Sequence, residues 1–186
     1  AIFTGLFGGL ASSTALTLHF SRLARTEPGL TPVLAMGILL ACGTMFPRMA
    51  VVLTLVAPEV VVPALLPLAL MTLVVYGAAL RQWWILGERH SEAATPLTNP
   101  LELPAAIGFG ALLALVMVLA KGVEVWLGGL GVLALSAVSG IADVDAITLS
   151  LAGMSGSGLA PRIAVTGIII AAATNCLVKG GMARGI

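Results

Sequence analysis

The chain has 186 residues, of which 59% are hydrophobic and 9% charged, with a formal net charge of +1. Soluble domains carry about 25% charged residues, so these few charges cannot solvate a globular surface of this size. The mean hydropathy of +1.12 marks an integral membrane protein, and no basic tract points to nucleic acid.

The chain opens AIFTGLFGGL inside an apolar run, with no basic n-region and no initiator Met. It therefore reads as a processed or truncated piece of a longer protein, without a cleavable signal peptide. A bilayer core of about 30 Å needs roughly 20 apolar residues per helix. Six spans are expected, near 1–21, 31–57, 60–80, 102–120, 130–153 and 161–182. The expected fold is a single all-α domain, a polytopic transmembrane helix bundle. Breaks are expected at TEPG (26–29), at Ala57-Pro58-Glu59, over the polar stretch 87–100, from Lys121-Gly122 through Glu124 to Gly128-Gly129, and at GSG (156–158). Runs this long without alternation exclude a β-barrel.

Basic residues give an orientation. With six spans, Arg22, Arg25, Arg81, Arg89 and Arg162 fall on one side, Lys121 and Arg184 on the other. The first side is expected to be cytoplasmic. Trp83 and Trp84 follow span three as interface anchors, and Trp126 does the same outside. Asn99, Pro100 and Glu102 suit an N-cap, a first helical position and a dipole-facing acid for span four.

The most informative feature is a repeat. Gly9–Phe20, GLASSTALTLHF, returns 131 positions later as Gly140–Leu151, GIADVDAITLSL. Gly9/Gly140, Ala11/Ala142, Ala15/Ala146, Thr17/Thr148 and Leu18/Leu149 are identical, while Ser12 and Thr14 become Asp143 and Asp145. Gly37–Thr44 likewise matches Gly167–Thr174. Repeat A (1–57) and repeat B (130–182), joined by connecting spans over 58–121, enter the membrane in the same direction. Such a parallel repeat has its pseudo-twofold axis along the membrane normal, and transporters often build a midplane site at a repeat interface.

Asp143 and Asp145 are the acids that fall within the membrane, and an intramembrane acid is costly enough to be a functional-site hypothesis by default. Two residues apart on a straight helix, their side chains diverge by about 200°. Either one carboxylate faces another helix, or the helix is unwound after Gly140. Asp143 lies about ten residues, roughly 15 Å, into span five. Thr44 and Asn175 lie about 13 residues, roughly 20 Å, into spans two and six. With Ser12, Ser13 and Thr14 they form a candidate oxygen-rich site for a hard cation, with Asp143 and Asp145 as the metal ligands. Arg48 and Lys179 are the candidate charge partners, and a closed salt-bridge network is the rival reading of the same residues.

Cys42 and Cys176 lie in apolar runs and read as small buried hydrophobes. No GxSxG elbow, P-loop, HExxH or zinc cluster occurs, so no enzyme, catalytic residue or resident cofactor is expected beyond a bound cation. Gly5/Gly9, Ala106/Gly110/Ala114 and Gly167/Ala171 have the spacing of helix-packing seams, more than one small bundle needs. A homo-oligomer, or pairing with an N-terminal membrane half, is expected beside the lipid bilayer.

GGLASSTALT, NPLEL, SGIADVDAITLSLA and the terminal ATNCLVKGG together resemble a bacterial and archaeal membrane family of unknown function. That family is often found C-terminal to an MgtC/SapB-type membrane domain. The resemblance implies a prokaryotic inner-membrane protein; it is the MgtC-like proteins that are linked to magnesium limitation and to regulation of membrane energetics, and this chain shows no MgtC half itself. The function expected is a transporter or channel-like carrier for an inorganic cation, a divalent one included, since hard cations such as Mg²⁺ or Na⁺ take such oxygens. The alternative is a non-transporting regulatory or scaffolding subunit.

Overall fold

A computed structural model describes residues 2–86 and 103–185, and their side chains except those of 2–12, 15, 86, 103–106, 109, 184 and 185. Six α-helices follow one another among these residues: α1 (Ile2–Thr26), α2 (Thr31–Val56), α3 (Pro58–Leu86), α4 (Leu103–Ala142), α5 (Val144–Ser155) and α6 (Pro161–Gly185). No strand is present among them. Among the described residues, four stretches are long and apolar enough to cross a membrane: Pro28–Val56, Pro58–Ile85, Gly110–Ala142 and Pro161–Ala183. The fold is an all-helical membrane fold.

Helix boundaries follow local chemistry. Pro28–Leu30 forms one 3₁₀ turn before α2. Ala57 alone separates α2 from α3, whose first position is Pro58, where the missing N–H costs nothing. α3 runs to Leu86 rather than ending near 80, because Arg81, Gln82 and the tryptophans after them contain no helix breaker. The expected caps at Asn99, Pro100 and Glu102 lie outside the described residues, as does Arg89.

The expected break across 121–129 narrows to a single residue. α4 continues through Lys121 and Gly122, supported by the Lys121–Glu124 ion pair at 2.8 Å, one turn apart. At Gly128 the backbone takes φ 62° and ψ −156°, a region open essentially to glycine alone. A Cβ on Gly131 would lie 2.5 Å from Cγ1 of Val123, although eight residues of straight helix would separate them by about 12 Å. α4 is therefore two helical segments meeting at a sharp bend.

Two compact units are distinguished: Ala1–Arg48 with Ala69–Pro100 and Lys179–Ile186, and Met49–Leu68 with Leu101–Val178. In the first, Phe20, Leu34, Ile38 and Cys42 form a core, with Leu16, Leu23, Leu30 and Val75 against it. Gly43 lets the Tyr76 ring of α3 lie on α2, since a Cβ there would fall 2.5 Å from Cε1. An apolar groove of about 340 Å³ opens beside it, lined by Met36, Leu40, Tyr76, Ala79, Leu80 and Trp83. In the second unit, Ala164, Ile168 and Ala171 of α6 and Ala146, Ile147 and Leu151 of α5 are buried.

The outside is apolar too. Val62, Leu66, Leu70 and Leu73 of α3 are exposed, as are Val125 and Leu130 of α4. Water would not tolerate such faces on a helix that is apolar all round, whereas lipid would. Trp84 and Trp126 are 77% and 87% exposed, at a helix end and beside the bend, the positions that interfacial tryptophans favour.

Candidate functional site

Span five, expected over 130–153 either as a straight helix or as one unwound after Gly140, is interrupted at Asp143. α4 ends at Ala142 and α5 begins at Val144. Asp143 is extended, with φ −154° and ψ 139°. Its N–H still donates to Ser139 O at 2.9 Å, closing the last turn of α4. Its Oδ1 accepts the Asp145 N–H at 3.1 Å, so Asp143 is the N-cap of α5. An aspartate satisfies the orphan donors of a first turn well, and its negative charge suits the positive end of the helix. Asp145 follows in that first turn. Both acids are half-buried.

A break leaves the last carbonyls of the preceding helix without intrahelical partners. One of them is taken up from α6: Asn175 Nδ2 donates to Gly140 O at 2.8 Å. A carbonyl only accepts, so the amide's NH₂ must face it, and the amide orientation is chemically fixed. The Asn175 Oδ1 atom is then a buried acceptor without a hydrogen-bond partner among the described residues. The Thr148 hydroxyl, on α5, is in the same condition.

Small residues bring α6 to the break. A Cβ on Gly140 would collide with Ala171 O and lie 2.8 Å from Ala171 Cα. A Cβ on Gly167 would lie 2.7 Å from both Ser136 Oγ and Leu151 Cδ1. Gly167, Ala171 and Asn175 are spaced by four and share one face of α6, so the expected seam ends in the amide that bonds the broken helix.

A different polar cluster lies in the first unit. Lys179, only 2% exposed, donates to Ser13 Oγ at 2.6 Å, with Met45 Sδ 3.9 Å away. Thr17 returns its hydroxyl to Ser13 O at 2.8 Å, and Thr44 does so to Ala41 O at 2.9 Å. Thr14 and Arg48 are half-buried, and the Ser12 side chain lies outside the described residues. Sequence-expected site residues thus meet as Ser13 with Lys179, while Asn175 joins the segment that holds Asp143 and Asp145. Among the described residues, no three His, Cys, Asp or Glu side chains converge as a metal cluster.

The family described as "Domain of unknown function (DUF4010)" matches residues 1–186. The chain belongs to this family. An uncharacterized protein of Aquifex aeolicus (strain VF5) is 34% identical over 189 residues, covering 98% of this chain and 80% of the relative. No solved structure matches. The resemblance read from the sequence thus holds at the level of a family of unknown function with a bacterial relative.

Within this DUF4010 chain, three features of the site escaped sequence reading. Gly140 stood out as a repeat position, but nothing local marked it as the contact with Ala171. Thr148 carries one signal in the sequence, its identity with Thr17, which marks a repeat position but not an unpartnered hydroxyl. The hydrogen bond from Ser155 to Glu59 Oε1, 2.6 Å long and 96 residues apart in sequence, leaves no trace in a single sequence.

Proposed function

We propose that the protein is a multi-pass carrier for an inorganic cation in a prokaryotic inner membrane. The observation that carries this reading is the interruption at Asp143. It lies about 14 residues, roughly 21 Å, beyond the Gly128 bend, and α5 continues about 18 Å past it. Non-helical backbone at membrane depth is tolerated where it lines a cavity or is buried in protein, and broken helices recur where carriers hold ions. The groups that this segment and the Asn175 amide bonded to it carry are oxygens: the Asp143 and Asp145 carboxylates, Asn175 Oδ1 and the carbonyl end of α4. Hard cations take such ligands. Ser13 fits the ligand role less well, because its hydroxyl oxygen already accepts a hydrogen bond from the Lys179 ammonium.

In this reading α1, α2, α3, the two segments of α4, the second with α5, and α6 make six crossings. The repeated sequences then cross in the same direction. The protein acts without a resident cofactor and catalyses no covalent step. It works as a homo-oligomer or beside an N-terminal membrane half of MgtC/SapB type. A non-transporting regulatory or scaffolding subunit is the second reading. It is favoured by hydroxyls already satisfied within their own helices, at Thr17, Thr44 and Ser136.

Reconstitution into proteoliposomes decides between them. A carrier moves at least one ion of a panel of Na⁺, K⁺, Mg²⁺, Mn²⁺ and Ca²⁺, and loses that flux in Asp143→Asn and Asp145→Asn. No flux with any of these ions favours the scaffold.

A further inference from the structure

The carrier reading leaves the class of cation open, and three observations at the break bear on it. The first is the buried Asn175 Oδ1. Its amide is held by Gly140 O, the oxygen has no hydrogen-bond partner among the described residues, and the residue is 2% exposed. A dry acceptor fixed beside a broken helix needs a positive or proton-bearing neighbour. The second is the carbonyl end of α4, whose last groups have no intrahelical partners and carry the negative end of its dipole. The third is Asp143, whose carboxylate lies at that junction with one oxygen on the Asp145 N–H.

We infer that the break holds a monovalent cation of the Na⁺ class, bound by the Asp143 carboxylate, Asn175 Oδ1 and carbonyl oxygens at the end of α4. This deepens the carrier reading and rests on it for its role, though binding itself does not require transport. Charge and hydration select the class. Mg²⁺ demands octahedral geometry and keeps several of its waters, and Ca²⁺ takes six to eight oxygens including several carboxylates. Here the amide is sealed from solvent, and no third acidic side chain converges among the described residues. A set dominated by neutral oxygens and helix-end carbonyls, with a carboxylate already engaged in capping, matches one positive charge. Unwound backbone and half-helix carbonyl ends hold Na⁺ in the same way in broken-helix carriers.

Thermal unfolding of the purified full chain in nanodiscs tests this, with NaCl exchanged for choline chloride at constant ionic strength. Na⁺ should raise the midpoint saturably, as a ligand that binds only the folded state must. Asp143→Asn keeps an N-cap, since asparagine caps as well as aspartate, so its midpoint in choline should stay near wild type. Its half-saturating Na⁺ should rise by about tenfold or more. Asn175→Ala should lose the Na⁺ response too, and if it does not fold, Asp143→Asn carries the test alone. A saturable response to Mg²⁺ or Ca²⁺ but not to Na⁺, Li⁺ or K⁺ overturns the assignment. So does no saturable response at all, or one unchanged in Asp143→Asn. Na⁺ binding without flux would leave this site standing and end the carrier reading, whereas Mg²⁺ flux without Na⁺ binding would do the reverse.

Discussion

Asn175 on α6 donates to the carbonyl of Gly140 on α4 at 2.8 Å, the group that the break at Asp143 releases from the helical pattern. One amide therefore both ties two helices and compensates for an interruption that would otherwise leave a buried carbonyl bare. Replacing it by leucine removes the donor and keeps the volume. Asn175→Leu should destabilise the protein by about 1–3 kcal/mol, the cost of an unsatisfied buried acceptor. Reversible unfolding in mixed micelles measures it, and a cost near zero would mean that Gly140 O finds another donor.

Gly140 has no room for a side chain because the Ala171 backbone occupies the space. Backbone cannot swing aside as a flexible side chain can. Gly140→Ala should therefore cost about 1–3 kcal/mol or more and separate α6 from the break. Gly153, exposed on α5 with nothing within 4 Å of an added Cβ, is the control. Gly153→Ala should be neutral or stabilising by up to about 1 kcal/mol, the helix-propensity gain. Equal costs for the two would show that propensity, not packing, decides.

Gly128 makes a separate prediction from backbone conformation. With φ 62° and ψ −156°, any Cβ there is strained even though the space is open. Gly128→Ala should cost about 1–3 kcal/mol, and so should Gly128→Asn, because this region lies outside the left-handed helical well that asparagine tolerates. Rescue by asparagine would indicate a different backbone state.

Composition and run length carried the membrane class, and Pro58 and the glycine pair at 128–129 marked two of the boundaries. The break at Asp143 was legible only as one of two alternatives, because two acids two residues apart cannot share a helical face. Its resolution depended on a local competition. α1 runs unbroken through Ser12, Ser13 and Thr14, although Ser12 stands where Asp143 stands in the other copy. Serine caps helices well too, but a charged acceptor makes a stronger bond to backbone N–H, and Gly140 and the β-branched Val144 lower the cost of leaving the helix. Sequence similarity alone could not show that one copy stays helical and the other does not. The pairing of Lys179 with Ser13 was illegible for another reason: 166 residues separate them, and the charge pattern pointed toward the acids.

The buried Lys179 ammonium makes Ser13 more than a filler. Hydrogen bonds to charged groups contribute about 1.5–3 kcal/mol. Ser13→Ala should cost that much, while Ser13→Thr keeps a hydroxyl and should recover most of it. Thr54, exposed and bonded only to its own helix at Ala50 O, gives the baseline: Thr54→Val should stay within about 0.5 kcal/mol. If Ser13→Ala fell within that baseline, the ammonium would be satisfied without Ser13.

The crossing itself is testable on α3, a helix with large hydrophobic side chains exposed along its length. Glu59 stands in its first turn and is exposed, and Trp84 stands near its other end, 77% exposed. The 25 residues between them span about 38 Å of helix, more than the roughly 30 Å hydrocarbon core. Single cysteines at these positions, in a background with Cys42 and Cys176 replaced, should react with an impermeant maleimide from opposite sides of the membrane. Because Cys42 is buried and Cys176 half-buried, their replacement by alanine should leave the fold intact. Labelling of both engineered sites from one side would show that α3 lies in or beside the bilayer without crossing it. That outcome would remove a crossing from the proposed topology, and the Arg-based orientation would then have to be recounted from α1.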